Sequence, residues 1–165
     1  MVDLSELQAS GAETIASDPE TLYDMVSDVT RMGEWSPACL ACTWDTENES
    51  PAAGSSQVGT WFTGKNKLGD FEYETRCEVT VADRGKEFSW IVGGAADGAA
   101  QWRYTFTPVD GGTRVEESSA VVRLSGPFAE MPEERLRAIV AGNQTGIETT
   151  LANLKAAAES AGEAG

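Results

Sequence analysis

Between residues 71 and 81 hydrophobic and polar side chains alternate almost without interruption. Phe71, Tyr73, Thr75, Cys77, Val79 and Val81 fall on one face of an extended chain, and Glu72, Glu74, Arg76, Glu78 and Thr80 fall on the other. A period of two marks a strand with one face buried and one face wet. The same period returns at Phe88, Trp90 and Val92, at Trp102, Tyr104 and Phe106 against Arg103 and Thr105, and at Val115, Glu117, Ser119 and Val121. Residues 7–16, 40–44 and 61–65 are further strand segments. Two connections, GGAADGAA over 93–100 and Asp110-Gly111-Gly112, are rich in residues that accept positive φ. Links this short cannot make parallel crossovers, so the predicted sheet is antiparallel.

The period changes at both ends of this run. Asp18 is a credible N-cap, with Pro19 at the first helical position and Glu20 in the first turn, leading into Leu22, Met25 and Val26. Beyond Pro132, Glu133 and Glu134 suit a helix N-terminus, and Leu136, Ile139, Val140, Ile147, Leu151 and Leu154 follow in steps of three and four. That pattern predicts a helix of about 27 residues, on the order of 40 Å long and able to cross a whole sheet. Gly142 and Gly146 interrupt it beside Asn143. Each glycine costs the helix about 1 kcal/mol relative to alanine, so close approach or open space is expected on that side. The loosest stretches are residues 47–57 and the tail from Ala156.

Composition removes several function classes. The net charge of −15 over 165 residues, with no basic cluster, argues against nucleic acid and anionic membrane surfaces. No window reaches the roughly 20 apolar residues needed to insert in a membrane. The first residues carry no secretory pattern, so the expected location is cytoplasmic with reduced thiols, and the sequons at Asn48 and Asn143 read as chance matches. Histidine is absent. That takes away the commonest general base, the commonest metal ligand and every Ser-His or Cys-His pair.

Residues 28–37, DVTRMGEWSP, resemble the segment after the first helix in START-like, helix-grip proteins of the polyketide cyclase/dehydrase and lipid-transfer kind. Phe62-Thr63-Gly64-Lys65-Asn66, Phe88-Ser89-Trp90, Trp102-Arg103-Tyr104 and GTRVEES over 112–118 are similar in order and spacing. The likeness runs over about residues 7–158 of a single domain. It implies an α+β helix-grip fold: a seven-stranded, curved antiparallel sheet around the C-terminal helix, with two short helices after the first strand. It also implies a cavity between sheet and helix for a small hydrophobic molecule, in a monomer or homodimer with no cofactor.

Cys39 and Cys42 have the Cys-x-x-Cys spacing of zinc and redox sites. With Cys77 as the third cysteine and no histidine, four zinc ligands are not available, so no metal is expected. The pair follows Pro37 and leads into a strand, whereas a thioredoxin-like pair stands where a helix begins. The resemblance implies that Trp35-Ser36-Pro37 belongs to the rim of the pocket, where Trp35 either touches ligand or plugs the end of the core.

The residues expected to contact a ligand are Trp35, Phe62, Asn66, Tyr73, Thr75, Cys77, Trp90, Trp102, Tyr104, Glu117, Asn143 and Ile147. Glu117 is an inward carboxylate whose desolvation raises its pKa. In an enzyme it would act as acid or base, with Tyr73 and Tyr104 donating to a developing enolate. The plainer alternative is a structural carboxylate held by backbone or an Arg. Asn143 needs a partner: a ligand oxygen, a water or Glu117. Arg76 and Arg103 fall on the opposite strand faces, so no oxyanion-holding Arg is evident. Three classes stay open: a binding protein for an apolar aromatic, polyketide-like or lipid-like ligand; a cofactor-independent cyclase or dehydratase; and a regulatory or stress-related interaction protein.

Overall fold

The computed structural model describes residues 2–45 and 57–164. The expected loose segment over 47–57 and the Asn48 sequon lie almost wholly outside these residues. Seven strands form one antiparallel sheet: β1 (Gln8–Ile15), β2 (Cys39–Trp44), β3 (Trp61–Leu68), β4 (Phe71–Asp83), β5 (Glu87–Val92), β6 (Ala100–Val109) and β7 (Gly112–Val121). Their order is β1-β7-β6-β5-β4-β3-β2. Every neighbour pair except β1–β7 therefore joins strands consecutive along the chain, and β3 to β7 are linked by short turns. Gly112 must be glycine at the β6–β7 turn: its φ is +152°, and a Cβ there would stand 2.0 Å from the Ile15 carbonyl oxygen.

Helix α1 (Pro19–Ser27) begins as its sequence predicts, with the Asp18 carboxylate accepting from the Thr21 N–H at 3.2 Å. It closes one end of the sheet by setting Tyr23 edge-on to Phe88 and Phe106. The second short helix is a 3-10 segment, Val29–Glu34. Helix α2 (Glu133–Ala164) has 32 residues, longer than predicted, and spans on the order of 48 Å. Leu136, Ile147, Leu151 and Leu154 are buried beneath it, and Ile139 and Val140 are half-buried.

The long helix lies along the free edge of the sheet. One flank supplies polar groups to the unpaired backbone of β1: Gln144 to Ser10, Lys155 Nζ to the Thr14 carbonyl at 2.7 Å, and Glu159 from the Ala16 N–H at 3.0 Å. Gly11 makes this approach possible, since a Cβ there would sit 3.1 Å from Ile147 Cγ2. The other flank carries Asn143, Gly146 and Asn153, and Asn153 donates to the Trp35 carbonyl at 3.0 Å.

One predicted face is corrected. The alternation over 71–81 does not hold to its end, because the β4–β5 register shifts between Val79 and Val81. Val79 pairs with Trp90 on the buried face, but Val81 pairs with Ser89 on the other, and Ala82 takes the inward place opposite Phe88. A β-bulge adds one residue to one strand and inverts the faces beyond it. At the other end of β4, Phe71 is 66% and Tyr73 38% exposed, where the β3–β4 hairpin runs past the core.

Candidate ligand-binding site

The concave face is built in cross-strand rows. One row holds Glu117, Tyr104 and Phe88; the next holds Ser119, Trp102, Trp90 and Val79. Farther along lie Phe62 opposite Cys77, Gly64 opposite Thr75, and Asn66 opposite Tyr73. Period-two alternation puts these side chains on one face, and antiparallel pairing sets them side by side. Trp90 stacks on Trp102 at 6.3 Å and 14°, and on Tyr104 at 5.9 Å and 30°. Phe62 meets Trp90 edge-on, so one aromatic wall runs from β3 to β6.

Glu117 is the one carboxylate buried among the described residues, and no Lys or Arg is buried with it. The Tyr104 hydroxyl stands beside the carboxyl and interacts with it, while among the described residues Oε1 has no hydrogen-bond partner. Burial pushes the Glu117 carboxyl up to about 8, and the Tyr104 bond pulls it only part of the way back. The Tyr104 phenol is driven well above its ordinary value by burial and then by the neighbouring carboxylate. At neutral pH the pair is thus mostly uncharged, with one carboxyl oxygen free to donate or accept. Among the described residues neither an Arg nor a backbone amide holds Glu117, unlike the structural carboxylate alternative.

Asn143 finds a partner in Ser119, donating to its Oγ at 3.4 Å, rather than in Glu117. Asn66 donates to Thr75 Oγ1 at 3.1 Å. Asn66, Thr75, Val92 and Trp102 on the sheet are half-buried, as are Ile139, Asn143 and Gly146 on α2. Among the described residues a Cβ on Gly146 would meet nothing within 4 Å, so there this flank of the helix borders open space rather than tight packing. Phe71 and Tyr73, stacked at 5.8 Å, stand at the outer end of the same face.

The predicted residues thus separate. Phe62, Cys77, Trp90, Tyr104, Glu117 and Ile147 form the buried wall; Asn66, Thr75, Trp102 and Asn143 lie at its more open part; Tyr73 lies at the rim. Trp35 is only 2% exposed, beneath the Arg31 guanidinium at 5.2 Å, and is packed in the core. Sequence reasoning passed over Ser119 as a site residue although it sits two positions from Glu117, and Met32, whose Sδ lies 3.8 Å from Cys42 Sγ. A shallow depression lined by Ala12, Glu13, Thr14, Arg114 and Lys155 lies at the β1 edge and contains none of the predicted residues. Among the described residues no group of three or more His, Cys, Asp or Glu is placed to hold a metal, and no helix is long and apolar enough to cross a membrane.

Solved structures share this fold. A Polyketide_cyc-like protein, Cgl2372 of Corynebacterium glutamicum, is 35% identical over 90% of this chain and 89% of its own, with a TM-score of 0.61. Protein Ms6760 of Mycobacterium smegmatis (18% identity, 98% and 96% covered, TM-score 0.66) shares the fold. So does the di-domain ARO/CYC StfQ of the steffimycin biosynthetic pathway (15% identity, TM-score 0.67), of which this chain covers 52% while 95% of this chain is matched. No curated protein matches the chain. The family model described as polyketide cyclase / dehydrase and lipid transport matches residues 7–159, and with the helix-grip sheet beneath it the chain belongs to that family.

Proposed function

We propose that the protein binds a small, mainly apolar ligand with a planar aromatic body and a carbonyl or phenolic oxygen, between the aromatic wall and the Asn143–Gly146 flank of α2. The observation that carries this reading is the unpartnered Oε1 of Glu117, buried among aromatic side chains. A buried polar atom without a partner is costly to leave unmade, and a ligand oxygen accepting from the protonated carboxyl satisfies it. Aromatic walls with a few convergent polar groups are the usual make-up of a small-molecule pocket. The family description, which includes lipid transport, supports the same class.

Titrating the tryptophan fluorescence with flavone and with oleate tests this. Saturable change is expected with flavone, weakened about tenfold, or ~1.4 kcal/mol, by Trp102→Ala and by Asn143→Leu. Affinity unchanged in both variants, with the fold intact, would reject the site.

A second reading, cofactor-independent cyclase or dehydratase chemistry, is favoured by one observation: a carboxyl titrating near 8 beside a phenol is a competent proton donor and acceptor at physiological pH. The ARO/CYC relative supports it by fold alone. Under this reading Glu117 moves the proton and Tyr104 holds the developing oxyanion. Product formation from a poly-β-ketone substrate, abolished by Glu117→Gln while binding survives, separates the two readings.

A further inference from the structure

Cysteines three positions apart in an unbroken strand point to opposite faces. In β2 both are buried, Cys39 at 7% and Cys42 at 5% exposure. The register explains it: Cys39 stands opposite Asn66, Ala41 opposite Lys65 and Cys42 opposite Gly64, so Leu40 is the extra residue of a bulge, turned outward and 49% exposed. Bulges re-aim the side chains that follow them. This one brings two free thiols to a sulfur–sulfur separation of 3.5 Å on the concave face.

We propose that Cys39 and Cys42 form a reversible thiol-modification site, oxidised by a hydroperoxide to an intramolecular disulfide in the wall beside Asn66. Cys39 attacks as the thiolate: its sulfur bonds to the terminal peroxide oxygen, the O–O bond breaks, and the departing alkoxide takes up a proton to leave as an alcohol. Cys42 sulfur then attacks the resulting sulfenic acid; the S–S bond forms, and hydroxide departs with the Cys42 proton as water. Two thiols and one hydroperoxide give one disulfide, one alcohol and one water, with two electrons passing from sulfur to the O–O bond.

The order of attack follows from the thiol–thiol bond. It holds the Cys39 thiol below its ordinary value and pushes Cys42 up, with burial adding to the rise at Cys42. Cys39 also occupies the row of Asn66 and the partly exposed Tyr73, at the open end of the sheet face. Forming a disulfide of about 2.05 Å draws together two sulfurs that already stand 3.5 Å apart, next to a bulge in the ladder. Cys77 lies deeper, 2% exposed, with burial pushing its thiol up to about 12, and takes no part.

The experiment exposes the reduced full-length protein to hydrogen peroxide at neutral pH, then counts thiols after denaturation and maps cross-linked peptides by mass spectrometry. Of the three free cysteines, one should remain titratable, with the peptides of Cys39 and Cys42 joined, two hydrogens lost from the intact mass, and full reversal by dithiothreitol. Cys77→Ser should form the same link. Cys42→Ser should leave Cys39 as a sulfenic acid trapped by dimedone; if that variant does not fold, the parent and Cys77→Ser mapping decides alone. Persistence of all three thiols, a link that includes Cys77, or a link between two chains overturns the proposal.

Discussion

Gln144 meets the backbone of Ser10 with both ends of its amide: Oε1 accepts from the N–H at 3.1 Å and Nε2 donates to the carbonyl at 2.8 Å. Ser10 lies on β1, an edge strand beyond which no further strand pairs among the described residues. A side chain of α2 therefore stands in for the missing neighbour, and Lys155 and Glu159 do the same farther along. An uncovered edge is a template for pairing with another chain, so the helix both packs its apolar side against the sheet and closes the β1 edge.

Gln144→Ala should lower stability by about 1 kcal/mol, since two neutral hydrogen bonds at a partly wet edge are exchanged for bonds to water. Urea denaturation measures that loss. The larger consequence should be association: light scattering at raised concentration is expected to show aggregation in the variant before the parent, because Ser10 again offers a free N–H and carbonyl.

The architecture was legible because period-two runs, Gly-rich turns, the Asp18 cap and the spacing of Leu136, Ile147, Leu151 and Leu154 all specify the same arrangement. The inward placing of Glu117, Tyr104, Trp90 and Trp102 followed from the same alternation. Two bulges were not legible. Nothing in the Thr80 or Leu40 neighbourhoods marks an extra residue, since a bulge is settled by the partner strand and the packing behind it. They reversed the place of Val81 and brought Cys39 and Cys42 onto one face. Partners distant along the chain, such as Ser119 for Asn143 and Ser10 for Gln144, lie outside what periodicity encodes.

Burial of Glu117 makes stability depend on pH in a definite direction. Its folded value of about 8 lies above the ordinary 4.5, so between these values the folded state holds a proton that the unfolded chain has released. The stabilisation from the protonated form is complete below about pH 4.5 and is lost progressively as pH rises through 8. Glu117→Gln keeps the shape and never ionises. Relative to the parent it should gain on the order of 3 kcal/mol at pH 7, more at pH 8.5, and almost nothing at pH 4.5. Urea midpoints for both proteins across that range check the sign; a gain that grew toward low pH would contradict the assignment.

The same proton should control ligand affinity. An acceptor oxygen on the ligand requires the protonated carboxyl, so flavone binding should be strongest below about pH 8 and fall roughly tenfold per unit above it. An amide donates at every pH, so Glu117→Gln should bind with a flat profile. Fluorescence titrations at pH 6, 8 and 9 compare the two, and matching profiles would remove Glu117 from the site.

Gly146 separates the fold from the site most cleanly. A Cβ there meets nothing within 4 Å, so Gly146→Ala adds no clash and replaces the residue least suited to a helix interior. Stability should rise by about 1 kcal/mol, read as a higher thermal midpoint. Gly146→Leu should remain folded for the same reason, but its side chain projects from the flank that carries Asn143, into the space assigned to the ligand. Flavone affinity should be near the parent's in Gly146→Ala and be lost in Gly146→Leu, with the thermal midpoint of both at or above that of the parent. If the leucine variant is as stable as the alanine variant and still binds, the open space beside α2 is not where the ligand sits. If both variants lose stability, the flank is packed tightly and the glycine serves close approach instead.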